Sequence, residues 1–365
     1  MHISEVETPA ILIDLDIMER NLARVNDYAK AHGLRLRPHT KTHKIPALGH
    51  RQLELGATGL TVAKVGEAEI MLSSNTPDLL VAYPVIGPAK LDRLMKVARQ
   101  TRVSVSLDNM TAATQLSEAA VRAGVDIGVL AETDVGLGRV GVTPGEELIS
   151  FAQQLQKLPR LELLGFAFYP GHIKMMDGGG VDGIAKLSAL VTRIVDEFKA
   201  AGLPVPIVSG GSTPALFHSH EVEGLNEIRP GTYIFNDRNT VELGACAWED
   251  CAASIHCTVV STARPGQMII DGGSKTFSSD GLATGRDKAY GLVRESPGAF
   301  FHKMNEEHGY VDLTKAEKQD FQVGERVRVI PNHICVCMNL HEQVYGFRGE
   351  TVEQVWKVEA RGKLQ

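Results

Sequence analysis

Leu34-Arg35-Leu36-Arg37-Pro38-His39-Thr40-Lys41-Thr42-His43-Lys44 reads as a short strand that runs into a basic loop carrying Lys41. A helix precedes it. Asp16 is placed to cap that helix, with Glu19 three residues later as in a capping box. Met18, Leu22, Val25 and Ala29 repeat at helical spacing and predict its buried stripe, and Gly33 ends it. The alternation continues beyond the loop. Strand-like apolar runs occur around Leu60-Val62, Leu79-Ala82, Val103-Leu107, Ile127-Leu130, Leu163-Phe168, Ile207-Val208 and Asn226-Ile228. Helical patterns such as Lys90 to Ala98 and Leu187 to Lys199 separate most of them. With the opening strand, this β-then-α series predicts an α/β fold, a closed (β/α)8 TIM-like barrel rather than an open doubly wound sheet. Thr213 to Glu223 leaves little room for a full helix in the last unit.

After about Asn239 the texture changes. Ser254 to Val260, Gln267 to Ile270 and Arg326 to Ile330 are rich in β-formers, and Arg264-Pro265-Gly266, Asp271-Gly272-Gly273 and Phe347-Arg348-Gly349 supply turns between them. A mainly antiparallel β domain is expected there. The expected limits are 9–238 for the barrel, with 1–8 and 239–365 in the β-rich domain. Gly291 to Asp320 is polar and irregular and is expected to form a long loop or lid.

The chain has 365 residues and a net charge of −6, which argues against nucleic acid or an anionic membrane as a default partner. No apolar stretch approaches the roughly 20 residues that span a bilayer. The start, Met1-His2-Ile3-Ser4-Glu5-Val6-Glu7, is acidic and has no apolar signal core. The cysteines are odd in number and crowd into the last third, which predicts a reduced, cytoplasmic protein.

Barrel enzymes carry their chemistry on the loops at the C-terminal strand ends. Lys41 stands at such an end. Desolvation beside His39, His43 and Lys44 would lower its pKa and make it a nucleophilic amine able to form a Schiff base with an aldehyde cofactor; the plain alternative is a solvated basic loop. The seventh strand ends in Ser209-Gly210-Gly211-Ser212-Thr213-Pro214 and the eighth in Arg229-Pro230-Gly231-Thr232-Tyr233, two glycine-bearing turns suited to an anion. Either alone would more often be only a turn. In Glu132-Thr133-Asp134-Val135-Gly136-Leu137-Gly138-Arg139, Arg139 is placed to reach a cofactor oxygen or to make a rim salt bridge. Tyr169-Pro170-Gly171-His172 puts a phenol and an imidazole on the same rim. His333 and Cys335, two apart on an expected strand, would face one side and offer nitrogen and sulfur to one ion, a pair that favours zinc; the alternative is a half-buried His and Cys. Cys337 lies too far along, and Cys246, Cys251, Cys257 and His256 are expected in the core. Lys275 is a second candidate for the imine.

Several of these motifs together resemble the fold-type III pyridoxal phosphate enzymes, and within them the D-threonine aldolase and D-serine dehydratase family with its alanine racemase-like barrel. The resemblance runs over nearly the whole chain: Thr8-Pro9-Ala10, Asp14-Leu15-Asp16, Pro38 to Lys44, Gly210 to Pro214, Arg229-Pro230-Gly231, and Pro331-Asn332-His333-Ile334-Cys335 with Asn339-Leu340. It implies that Lys41 carries pyridoxal 5'-phosphate and that Gly211, Ser212, Thr213, Gly231 and Thr232 hold the phosphate. Arg139 then lies beside the phenolate, and Arg229 or Tyr169 faces the pyridine nitrogen. His333 and Cys335 bind a divalent metal, zinc or manganese, beside the cofactor, and the chain forms a homodimer. The implied activity is a lyase acting on small D-β-hydroxy-α-amino acids. In the aldolase form His172 removes the hydroxyl proton; in the dehydratase form Lys41 removes the α-proton. Aldolases of this family resemble His-x-Asp at the metal pair and dehydratases His-x-Cys. Two further alternatives are a metal-independent racemase, using Lys41 with Tyr290, Tyr310 or Tyr345, and a non-catalytic carrier of the cofactor.

Overall fold

The computed structural model describes residues 1–174 and 178–365. The chain forms two compact units, and it passes between them at Ala23–Arg24, Lys41–Thr42, Lys44–Ile45, Gly231–Thr232 and Arg361–Gly362.

One unit is the barrel. Its strands are Arg35–Leu36, Leu60–Val62, Asp78–Val81, Arg102–Leu107, Ile127–Glu132, Leu161–Ala167, Ile207–Gly210 and Glu227–Ile228. They pair in parallel in chain order, with the first strand beside the eighth. A parallel bridge between His39 and Thr61 joins the first strand to the second and closes the ring. Every barrel strand expected from the sequence is present. The helices Pro46–Glu54, Val65–Met71, Pro88–Ala98, Met110–Ala123, Glu146–Leu155 and Gly178–Ala200 follow the first six strands. After the seventh there is only the 3-10 turn Leu216–Glu221, in the short span that left no room for more.

The barrel interior holds a charged ladder as well as apolar side chains. Arg37 forms an ion pair with Asp78 at 2.8 Å and donates from Nε to Glu227 at 3.0 Å. Ser209 donates to the second oxygen of Glu227 at 2.7 Å, and Arg229 donates to Ser209 and to the carbonyl of Phe168. Buried charge is retained only when paired in this way.

The other unit contains a nine-stranded sheet. Its order is Gln267–Ile270, Gly309–Asp312, Phe300–Met304, Gly291–Val293, Arg326–Pro331, Ala253–Ser261, Ala10–Asp14, Gln343–Arg348 and Thr351–Lys357. Gln267–Ile270 also pairs with Ala253–Ser261, which closes the first six into a ring. All contacts are antiparallel except that between Ala10–Asp14 and Gln343–Arg348.

By contacts, the β-rich unit holds Met1–Ala23, Thr42–Lys44 and Thr232–Arg361. Met1–Ala23 joins it because Ala10-Ile11-Leu12-Ile13, buried, pairs with His256 through Ala253. Two expectations change here. The helix Leu15–Ala31 is capped by Asp14, whose Oδ1 accepts from the N–H groups of Asp16 and Ile17, and not by Asp16. Its stripe is as expected, with Met18, Leu22, Val25 and Ala29 all buried. The segment from Gly291 to Asp320 is no lid. It supplies three sheet strands, and the buried side chains of Val293, Phe301 and Val311 anchor them.

Candidate active site

Lys41 is exposed at the C-terminal end of the first barrel strand, while Pro38 and Thr40 before it are buried. The backbone there is fixed. His39 N–H donates to the carbonyl of Pro230 and Thr40 N–H to that of Thr61, so the loop is tied to both neighbouring strands. Lys41 N–H donates to His39 Nδ1 at 3.4 Å. A rigid strand end thus presents a free-standing amine.

The turn after the seventh strand has the open backbone that a phosphate needs. A Cβ on Gly210 would lie 2.4 Å from the Phe168 ring, so only glycine fits. Gly211 has φ +87°, a conformation that favours glycine. Ser212 follows, its side chain buried, and its hydroxyl accepts from Ala215 N–H at 3.4 Å. Thr213 is half-buried and Gly231 buried. Arg229 N–H donates to the Gly210 carbonyl, which ties the two turns together.

Arg139 lies with its guanidinium carbon 5.0 Å from the centre of the Tyr169 ring. The exposed His172 packs on Gly136, where a Cβ would be 3.2 Å from Nε2. Burial pushes the Asp134 carboxyl up, but the N–H groups of Gly136, Gly138 and Leu137 outweigh this and hold it below the usual range. That clasp shapes the loop bearing Arg139. Burial draws the Arg229 guanidinium below its ordinary pKa, with Glu132 and Glu227 opposing. Burial likewise raises the Glu132 carboxyl, with Arg229 opposing.

The β-rich unit holds the other candidate pair. His333 and Cys335 are not on a strand. The strand Arg326–Pro331 has ended, His333 sits at the N-cap, and Cys335 lies in the helix Ile334–Leu340. Asp237 explains the turn: its Oδ2 accepts from His333 Nδ1–H at 2.9 Å and from Ile334 N–H at 3.1 Å. A carboxylate only accepts, so Nδ1 carries a proton and Nε2 is the nitrogen that can bind a ligand once it gives up its own proton. Cys335 donates to the Thr42 hydroxyl at 3.3 Å and lies 3.8 Å from that of Thr232. The Cys335 thiolate, then Asp237, drive the His333 pKa up to about 11 against the effect of burial. Cys337 is fully buried and donates to the Phe277 carbonyl. Among the described residues no third His, Cys, Asp or Glu joins the pair.

Of the remaining candidates, Cys251, Cys257 and His256 are core residues. Lys275 is exposed and paired with Glu307 at 2.6 Å and Glu306 at 3.3 Å, contacts that raise its pKa and hold it as a cation. Sequence reasoning missed Asp237. Its visible signal is a helix cap, since it also accepts from Thr240 N–H, and nothing local points to a histidine 96 residues away.

The residues present fit pyridoxal phosphate: an exposed amine at the first strand end, a glycine-lined turn with a buried hydroxyl at the seventh, and a guanidinium on the same rim. The imidazole–thiol pair, with Nδ1 already engaged, fits a divalent ion that accepts nitrogen and sulfur.

Comparison with known proteins agrees. The family model "Alanine racemase, N-terminal domain" matches residues 13–239, and "Putative serine dehydratase domain" matches 252–347. The chain is 34% identical to 3-hydroxy-D-aspartate aldolase of Paracoccus denitrificans (strain Pd 1222), over 99% of this chain and 93% of that protein. The solved D-threonine aldolase of Filomicrobium marinum superposes with a TM-score of 0.91 at 30% identity, covering 99% of this chain and 97% of that one. A cysteine-to-alanine variant of D-threo-3-hydroxyaspartate dehydratase, in the metal-free form, superposes with a TM-score of 0.90 at 30% identity, covering 98% of each chain. The chain therefore belongs to the family of pyridoxal phosphate-dependent lyases that joins an alanine racemase-type barrel to a serine dehydratase domain.

Proposed function

We propose that the protein is a D-3-hydroxy amino acid aldolase that uses pyridoxal phosphate and a divalent metal. Lys41 carries this reading, as an exposed amine on a fixed loop at the mouth of the barrel. When bound, pyridoxal phosphate supplies an electron sink for the carbanion formed at the substrate's α-carbon. Lys41 Nζ is its covalent anchor. The backbone of Gly211, Ser212, Thr213 and Gly231, with the Ser212 hydroxyl, receives the phosphate, and Thr232 opens the segment that follows. Arg139 faces the phenolate, held in orientation by the Tyr169 ring. The Arg229 guanidinium is engaged by Ser209 and the Phe168 carbonyl, which favours Tyr169 as the group facing the pyridine nitrogen.

His333 Nε2 and Cys335 Sγ would hold a divalent ion, zinc by the softness of the thiolate, and such an ion would act as a Lewis acid toward the β-hydroxyl. The Thr42 hydroxyl accepts from the Cys335 thiol. His172 takes the hydroxyl proton, and cleavage of Cα–Cβ then releases glycine and an aldehyde.

A second reading rests on Cys335. The metal-free cysteine variant among the solved relatives is a dehydratase. In that reaction Lys41 Nζ takes the α-proton and water leaves, giving a 2-oxo acid and ammonia. The assay that decides uses D-threonine and D-serine with and without chelator. Acetaldehyde and glycine from D-threonine, lost on chelation, support the aldolase. Pyruvate from D-serine supports the dehydratase, and turnover of L-isomers alone excludes both.

A further inference from the structure

We propose that Cys246 and Cys251 form a dithiol that reduces hydroperoxides and is itself converted to a disulfide. No step of the lyase chemistry uses either thiol, so this is a second reactive site.

One tight turn brings the pair together. Asp250 N–H donates to the Ala247 carbonyl at 3.1 Å, and Ala247 N–H donates to Asp250 Oδ2 at 3.1 Å. Ala247 and Cys251, on either side of the 3-10 turn Trp248–Asp250, are both extended. Cys246 and Cys251 therefore flank the neck of a closed turn. Its surroundings hold it still. The Asp250 carbonyl accepts from Asn21 Nδ2 at 2.8 Å and from Asn236 Nδ2 at 3.1 Å, and Ala252 N–H donates to the Phe235 carbonyl at 2.7 Å. Across the neck the two thiols are hydrogen-bonded to each other, and both are free.

The two sulfurs are unequal. Cys246 is half-buried and Cys251 is buried. Cys246 donates to the Thr240 hydroxyl at 3.5 Å, which leaves its lone pairs to accept from Cys251. That accepted bond, with Thr240, holds the Cys246 thiol below its ordinary pKa against the effect of burial. The same bond, then burial, pushes Cys251 up. A partly exposed thiol with more thiolate character is the one that meets an oxidant, and a thiol already in contact with it resolves the product. Cys257 and Cys337 differ from Cys246, since both are fully buried and burial raises them well above the usual thiol range.

The chemistry balances. Cys246 Sγ attacks the terminal oxygen of the hydroperoxide and the O–O bond breaks. The alkoxide leaves with the Cys246 proton as an alcohol, or as water when the oxidant is hydrogen peroxide. Cys251 Sγ then attacks the sulfenic sulfur, the S–O bond breaks, and hydroxide leaves with the Cys251 proton as water. The thiol pair loses two electrons and the hydroperoxide gains them.

The test exposes reduced holoenzyme to stoichiometric hydrogen peroxide and counts thiols after denaturation. Wild type is expected to fall from five thiols to three and to return to five with dithiothreitol. Alkylation with one reagent before reduction and another after it should put the second label on Cys246 and Cys251. Cys246→Ser should leave Cys251 open to the first reagent. Cys251→Ser should let dimedone trap Cys246 as a lasting sulfenic acid, an adduct that wild type does not accumulate. Any other thiol count in wild type, the second label on other cysteines, or a persistent dimedone adduct on wild-type Cys246 would overturn the assignment.

Discussion

Asp237 Oδ2 accepts the Nδ1–H of His333 at 2.9 Å from a fully buried position, and the same oxygen accepts from Ile334 N–H. One carboxylate thus fixes the imidazole orientation and the start of the helix that carries Cys335. Partners of this kind typically tune metal affinity by about 10–100-fold. Asp237→Ala is expected to weaken zinc binding by that order, read by competition with a chromophoric chelator. It should also destabilise the fold by roughly 1–3 kcal/mol, because Ile334 N–H loses its acceptor.

Lys41 is exposed, so replacing it should not disturb the fold. Lys41→Ala is expected to keep the wild-type melting temperature, lose the yellow absorbance of the bound cofactor, and lose activity. Borohydride reduction of wild type followed by peptide mass mapping should mark the peptide containing Lys41. Label on the Lys275 peptide would refute the assignment.

Gly210 touches the Phe168 ring so closely that a methyl group has no space. Gly210→Ala must move the ring or the turn. The expected cost is about 1–3 kcal/mol, as for other over-packed sites. Because the turn precedes Ser212, cofactor should also dialyse away faster, measured as loss of absorbance with time.

His256 is buried on the strand Ala253–Ser261, directly opposite Arg328. Burial first, then Arg328, Arg326 and Arg294, lower its pKa to about 3. Below its ordinary value of 6.5 the unfolded chain binds a proton that the native protein excludes. Stability therefore falls as pH drops from 6.5 toward 3, by about 1.4 kcal/mol per unit from this group alone. Denaturant titrations at pH 7 and pH 5 should show wild type losing roughly 2 kcal/mol more than His256→Phe.

The barrel was readable because each strand is a local run of β-formers bounded by turns, and the rim on which Lys41 stands followed from strand order. The amine at Lys41 and the turn at Gly210-Gly211-Ser212 were legible for the same reason. The destination of Ala10–Asp14 was not. Its residues announce a buried strand, but its neighbours, Ala253–Ser261 and Gln343–Arg348, lie far along the chain. Ile334-Cys335-Val336-Cys337 was misread as a strand because a short apolar run carries no period that separates strand from helix. Asp237 resolves it, by supplying the acceptor at which a helix can begin. The segment from Gly291 to Asp320 was obscured by polar residues on the exposed face of its strands.

Leu12 lies beside Tyr345 in the β-rich sheet, so this strand must wait for one made 333 residues later (345 − 12). At about 5–20 residues per second, the ribosome delivers the partner on the order of tens of seconds later. Until Ala253–Ser261 has also emerged, Ala10-Ile11-Leu12-Ile13 is an unpaired apolar segment on the nascent polypeptide, and one edge stays open until Gln343–Arg348 arrives. It is the natural place for a chaperone to bind while the barrel condenses, and its edge is the first that overexpression would expose to aggregation.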